Sequence, residues 1–578
     1  MTHTAGGSMR RARRMAVALA LVLGACGDRN GGAEAAKARS KAAPAAEGAP
    51  RLGGTAVVAE VGDVQQPLPL LFAGNPDGDL IDMMYMGLTA QAWENGRLVY
   101  QTSDDSPMAL AWLYEYLGPD STAIRFRMRS AARWSDGRPI TARDVVWTYR
   151  TLADPRAASL HAGVTKQLDS VRAENDSTVV FHFKRHYPEM LFDAGLGIMP
   201  EHVYASTPPE GMATHPVLGR LETLVVSGPW KIGSRQAGRQ TELVHNPYWP
   251  AEFRPRLDRI VLRVVPDPVT RVTELRNGTV DFARGITFEL VRQLRGQAPN
   301  LRWEREDDRF WEFVAWNQRK VPAFRDVRVR RALGMAANVP GIIQTLQMGE
   351  FTTPATGPYP PIFRDLYDPS VRPLAWDTVQ ARALLDSAGW RDGDGDGIRE
   401  KNGKPLRFTL VTNAGNQRRQ DVSTILQRQW RAVGVDARLQ AIELHTLNQR
   451  LLGDHDFEAA LTSWSVSLTP DISPMWTTGG SYNLTGYASA ETDSLIARAT
   501  AQARPEQAAP LWRAVAARIV QDQPYTSLYY YDPVTGVSSR LQGLHVTSFG
   551  AYGRSWEWWV RDAPGRGARA DSSEGGTR

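Results

Sequence analysis

Residues 406–442 hold the pattern that most limits what this chain can fold into. "LRFTLVT" is a short apolar run suited to a strand. Residues 418–433 then place Ile425, Leu426, Trp430 and Val433 on one side of a helix that stops at Gly434, and "VDARLQAI" follows as a second strand. Strand, helix and strand at this spacing form a crossover, and a crossover returns its second strand parallel to its first. Part of the chain is therefore a parallel α/β layer.

Other segments extend the same mixed character. Thr55 to Val61 reads as the first strand. Ile124, Phe126 and Met128 alternate with arginines, and Val179, Phe181 and Phe183 alternate again, the period of half-exposed strands. In "WSDGRPITARDVVWTYR" an Asp136-Gly137 turn precedes a helix that Thr141 can cap, with Asp144 three residues on. Ile260, Leu262 and Val264 make a strand, Pro266-Asp267-Pro268 opens a helix, and Asn277-Gly278 ends it before a short strand at Val280 to Phe282. Leu511, Val515 and Ile519 mark a late helix, and "YTSLYYY" a late strand. No internal repeat is visible.

The only cysteine of the 578 residues is Cys26. Arg10, Arg11, Arg13 and Arg14 precede an apolar run from Met15 to Leu23, and Gly24, Ala25 and Cys26 follow. A charged patch, a short apolar run and small residues make an export signal, too short for a spanning helix. Met9 is a second candidate start. Leu23-Gly24-Ala25-Cys26 resembles the bacterial lipobox, which implies a lipid on Cys26 and a mature chain that begins there. Such a chain keeps no free thiol for a disulfide, a thiolate metal site or a nucleophile. Residues 26–52 are rich in Ala, Gly, Pro and charge and read as a disordered tether. Residues 561–578 read as a disordered tail.

Lys plus Arg is 68 against 62 for Asp plus Glu, a net charge of +6. Four of those arginines lie in the signal, so the mature chain is near neutral. No basic block is interleaved with aromatics, which sets nucleic acid aside as a partner. The length fits about three or four domain-sized units. Eighteen Trp and 17 Tyr leave some rings available to line a ligand cleft beyond those that pack.

No Gly-x-Ser-x-Gly elbow, Walker loop, dinucleotide glycine fingerprint or His-Glu-x-x-His occurs. His182 and His186 are four apart, but His182 lies in an alternating strand, where that spacing builds no helical metal pair. "DGDGDGIRE" places Asp392, Asp394 and Asp396 at alternating positions, then Gly397, Ile398 and Glu400, like the first half of an EF-hand loop. Position twelve is Gly403, where a bidentate Glu should stand. The loop reads as a solvated turn, with a calcium site at Asp392, Asp394, Asp396 and Glu400 as the alternative.

Several stretches together resemble the family 5 extracytoplasmic solute-binding proteins, the peptide- and nickel-type receptors of bacterial ABC importers. They are "WSDGRPITARDVVWTY" (134–149), "SGPWKI" (227–232), "HNPYWP" with "LDRIVLRVVPDPVTRVTELRNGTVDF" (245–282), "FRDVRVRRAL" (324–333), "ALLDSAGW" (383–390) and "NLTGYASAETDSLIARA" (483–499). They follow the family's order from Gly53 to Val560. The resemblance implies an α/β, two-lobed, periplasmic-binding-protein-like fold of type II, with an extra subdomain in lobe one. Lobe one takes 53–88, 191–315 and 530–560, the inserted subdomain 89–190, and lobe two 316–529. The crossings between lobes fall near Ala315 to Lys320 and Pro524 to Asp532. A ligand binds between the lobes and favours the closed form.

In relatives that grip peptides, a Trp followed three residues later by Asp meets the peptide amine. Here "TSWSVSLTPDISPMW" keeps Trp464, but the Asp position is Ser467, which cannot neutralise an ammonium. Asp471 is the nearby carboxylate. Trp464, Ser467, Asp471, Trp476 and Asn483 are the candidate ligand-binding residues. "AANVPGII" departs from relatives that carry an acid near Asn338, while Asn338 and Pro340 still suit a helix start.

The expectation is a monomeric, lipid-anchored receptor, not an enzyme and without a cofactor. It captures peptides outside the cytoplasm, in the periplasm if the cell has an outer membrane, and delivers them to an ABC permease. The alternatives are a receptor for nickel-chelate or another small solute on the same fold, an exported hydrolase, or a structural lipoprotein.

Overall fold

The computed structural model describes residues 50–561, apart from 73–74, 95–96, 307–308, 468 and 548–549. The signal, Cys26, the tether up to residue 49 and the tail beyond 561 lie outside the described residues. Among the described residues no helix is long and apolar enough to cross a membrane.

The crossover forms as its spacing requires. Arg407–Asn413 pairs in parallel with Asp436–Ile442, joined by the helix Gln417–Arg431. Gly434 takes a left-handed φ of +85°, which lets the chain turn back beneath the helix end at little steric cost. Trp430 is buried under that helix and donates its Nε1 to Leu333 O at 3.0 Å.

Two large sheets carry the molecule. In the first, seven strands lie in the order Leu301–Arg305, Val534–Ser538, Phe282–Ile286, Thr55–Glu60, Arg259–Val264, Gln240–His245, Trp230–Gln236. In the second, six strands lie in the order Thr352–Pro354, Tyr525–Tyr531, Phe310–Trp316, Ala459–Ser465, Arg407–Asn413, Asp436–Ile442. A smaller four-stranded antiparallel sheet is built from Ala111–Leu117, Ala123–Met128, Thr178–Phe183 and Leu168–Asn175. The mixed α/β, two-lobed arrangement follows from these sheets.

The chain passes from the first sheet to the second between Arg305 and Phe310, and returns between Tyr531 and Val534. The first passage corrects the expected crossing near Ala315 to Lys320. Phe310–Trp316 pairs on one side with Ala459–Ser465 and on the other with Tyr525–Tyr531, so its backbone is committed to the second sheet. An alternating apolar run shows that a strand exists, not which sheet accepts it.

One apolar cluster joins the first sheet to the small sheet through Val58, Phe126, Trp134, Phe181, Trp230 and Trp558. A second runs from Leu275 and Val291, behind the first sheet, to Trp316, Phe408 and Trp430 in the second. Within it Phe288 and Phe351 stack at 4.6 Å, one ring from each side. A third, with Trp311, Phe313, Trp476, Trp512 and Tyr525, fills the other face of the second sheet.

The helix Ala142–Ala153 starts at Thr141, and Asp144 Oδ2 accepts from Thr141 N at 2.8 Å. Asp144 Oδ1 also accepts from Glu201 N at 2.9 Å, at the start of the helix Glu201–Tyr204. One buried carboxylate thus serves two helix starts. Removing it strands two amides, each costing about 1–2 kcal/mol. Asp144→Ala is expected to lower the unfolding free energy by about 2–4 kcal/mol in denaturant titration, and Thr141→Ala by about 1 kcal/mol.

Candidate functional site

The strand Ala459–Ser465 ends beside Trp464, and the chain then runs through Asp471 into a one-turn helix, Ser473–Trp476. Trp464 is half-buried. It packs near Phe313, with ring centres 6.3 Å apart, and meets the exposed Tyr482 edge-on at 6.0 Å. Ser467 is exposed, and its hydroxyl engages the Thr469 hydroxyl at 3.0 Å. Asp471 is half-buried, with Oδ1 accepting from Ser473 N at 2.8 Å.

Trp476 and Asn483 are not placed to touch a ligand. Trp476 is 1 % exposed, with its ring packed against Tyr525 at 4.6 Å and Trp311 at 6.3 Å. Asn483 is 1 % exposed, and its amide is used up locally. It donates to Thr477 O and Tyr487 O and accepts from Tyr487 N. Closeness to Trp464 in sequence does not give either residue a face on the cleft, because the short helix turns Trp476 into the third cluster and the loop after it folds around the Asn483 amide.

Asp471 instead faces groups from the other side of the molecule. The segment after the strand Thr178–Phe183 brings Tyr187, Glu189 and Asp193 around the short helix Met190–Asp193. Burial holds the Glu189 carboxyl up at about 7, with the Asp471 charge the next cause. Burial raises Asp193 to about 7 as well, opposed by the Tyr187 hydroxyl that donates to it and reinforced by Asp471. Burial and then the fields of Asp471 and Glu189 push the Tyr359 phenol upward. Tyr359 donates its hydroxyl to Pro470 O, the residue before Asp471. Tyr100 feels Glu189 and Asp193 beyond its own burial. Three carboxylates and several phenols therefore share one partly dry space. None of the three carboxylates forms an ion pair with Lys, Arg or His among the described residues.

Sequence reasoning missed Glu189 and Asp193. One local signal was available. Two acids four residues apart on a helical turn repel each other, and Arg185, four residues before Glu189, offsets only part of that repulsion.

A region of opposite sign lies closer to the crossings. Glu312, fully buried, accepts from Arg419 Nε at 2.6 Å and from Arg418 Nη2 at 3.2 Å. Two guanidinium groups thus share one carboxylate. Arg418 lies 4.1 Å over the Tyr531 ring and 5.6 Å from the Phe288 ring, which comes from the first-sheet side.

The loop 392–400 is separate from both regions. Asp392, Asp394, Asp396 and Glu400 each offer a carboxylate oxygen, all within 4.8 Å of one another. Asp392 accepts from Gly395 N and Gly397 N, Asp396 from Ile398 N, and Glu400 from Gly393 N. A cavity of about 500 Å³ lined by Arg239, Arg263, Asp267 and Glu274 opens on the first sheet, away from the acidic region.

Comparison with known proteins agrees with this architecture. The oligopeptide-binding protein AppA of Bacillus subtilis is 25% identical over 551 residues, 94% of this chain and 97% of its own length. The structure of that protein in complex with a nonapeptide superposes with a TM-score of 0.76 at 25% identity, covering 89% of this chain and 100% of that one. NikZ from Campylobacter jejuni, solved with Ni(L-His), shares the fold with a TM-score of 0.74 at 20% identity, over 87% of this chain and 99% of its own. Residues 108–486 match the family model described as bacterial extracellular solute-binding proteins, family 5 Middle, and with two lobes joined by two crossings the chain belongs to that family.

Proposed function

We propose that this protein is the receptor of an ABC importer for peptides with a free amino terminus, and that the amine sits among Asp471, Glu189 and Asp193. One observation carries the reading: carboxylates from both sides of the interlobe space feel one another's charge, none of them is ion-paired among the described residues, and Arg185 only partly offsets Glu189. An ammonium supplies the missing charge, and an unpaired buried charge costs several kcal/mol. The same carboxylates would repel an anionic chelate, which favours peptide over that alternative. The similarity to an oligopeptide-binding protein along nearly the whole chain supports the same ligand class. The relatives matched along the chain are named as binding proteins, which supports a site that binds and releases.

The amine contact is tested with peptides of a synthetic library, free or N-acetylated. Asp471→Asn is expected to weaken free-amine peptides by about 2 kcal/mol or more, and acetylation to weaken binding to the wild type but barely to the variant. Equal binding of free and acetylated peptides by the wild type would remove the amine from the site.

The pH dependence has a defined sign. Glu189 and Asp193 hold their protons up to about 7, whereas a bound ammonium favours their ionised forms. Binding therefore expels protons, and affinity rises with pH between about 6 and 7.5, where the amine itself remains charged. Glu189→Gln is expected to flatten that rise in calorimetric titrations.

Membrane attachment through Cys26 belongs to the same proposal. Stable anchoring takes at least two acyl chains, which a lipidated amino-terminal cysteine supplies. Cys26→Ser is expected to move the protein from the membrane to the soluble or unprocessed fraction. Unchanged fractionation would exclude the anchor.

Calcium remains the alternative at the loop 392–400. With Gly403 in place of a bidentate acid, chelation is expected to shift the melting temperature by less than about 1 °C. A larger shift that Asp394→Ala abolishes would assign the loop to calcium.

A further inference from the structure

The hairpin Ala90–Glu94 with Arg97–Gln101 precedes the first crossing, yet its side chains end on elements that follow it. Trp93 meets Phe363 edge-on, with ring centres 5.4 Å apart at 84°, and packs on the apolar cluster of the second sheet. Arg97 Nε donates to Asp365 Oδ2 at 2.6 Å, and its Nη1 lies 3.7 Å from Glu506 Oε1. Beside them, Arg185 donates to Thr500 O, and His186 Nε2 lies 3.0 Å from Ala503 O. All five contacts end on two neighbouring stretches, 363–365 and 500–506.

We infer that Trp93 and Arg97 form a latch that holds the two lobes together whether or not a ligand is present. The lobes are joined covalently only at the two crossings, so any hinge opening separates hairpin from second lobe. A contact made only in the closed form contributes wholly to the closed-to-open ratio. Trp93 does not touch the acidic site. Phe363 stands between it and Tyr359, with 6.0 Å between those two ring centres. The latch thus sets how much closed protein exists before ligand arrives. The apparent dissociation constant equals the intrinsic one divided by that closed fraction.

The Trp93 ring contact and the exposed Arg97 pairs are each weak. Together they are worth roughly a fivefold change in the closed-to-open ratio. The test uses the full chain without added ligand, refolded from denaturant to strip co-purified solute. A failed peptide assignment would therefore leave its result untouched. Small-angle scattering of Trp93→Ala/Arg97→Ala is expected to show a larger radius of gyration than wild type. Arg97→Asp alone should also open the protein, and adding Asp365→Arg should close it again, which a merely misfolded variant would not do. An unchanged radius in the double alanine variant with native circular dichroism would overturn the latch. So would failure of the charge swap to restore the wild-type radius.

Discussion

Glu306 stands on the first crossing between the sheets, and its amide donates to Pro533 O on the second at 3.1 Å. The neighbouring Arg305 pairs with Asp532. Arg284, on the strand Phe282–Ile286, donates to Glu306 at 3.0 Å and to Asp79 at 3.0 Å, which ties the crossing to the first sheet. The two crossings are thereby held side by side as one narrow connection. Everything the lobes do to each other elsewhere, from the acidic site to the hairpin, is reached across a gap that this connection permits to change.

That geometry explains why opposing carboxylates are tolerated. In a rigid core, Glu189, Asp193 and Asp471 would be a fault, since like charges in a low-dielectric space raise one another's proton affinity. Between lobes that separate, opening would solvate each acid, and a cation between them would relieve the repulsion on closing. Arg418 stands at the other electrical extreme. Its charge is half-answered by Glu312, and it is cushioned by Tyr531 and Phe288.

Much of the fold was legible because it is local. Thr141 and Asp144 at capping distance gave a helix start, and the structure places Asp144 Oδ2 on Thr141 N. Asp267 and Pro268 opened a helix in the same way, with Asp267 Oδ1 accepting from Thr270 N at 2.7 Å. Asn338 caps a helix in the same way, accepting from Gly341 N at 3.0 Å. The site was less legible. Trp464 became a candidate through the family resemblance and Asp471 through its place beside Ser467; the structure leaves both half-buried, whereas Trp476 and Asn483, added with them, are buried. Neighbours along a chain share a surface only when the local backbone lets them, and here one turn of helix buries Trp476 while a loop closes around Asn483.

By itself the sequence determined what depends on a few adjacent residues: the caps, the alternation of strands and the parallel crossover around Trp430. It also set the order of segments that marks the family. Only the tertiary structure decided that Phe310–Trp316 belongs to the second sheet, that Asp144 serves Glu201 as well as Thr141, and that Asp471 faces Glu189 and Asp193 from far along the chain. The physical reason is the same in each case. Hydrogen-bond caps and apolar period act over a turn or a strand and leave their mark in spacing. Which strand edge is free, and which charges close upon each other, depend on how the sheets are joined, and no local spacing records that.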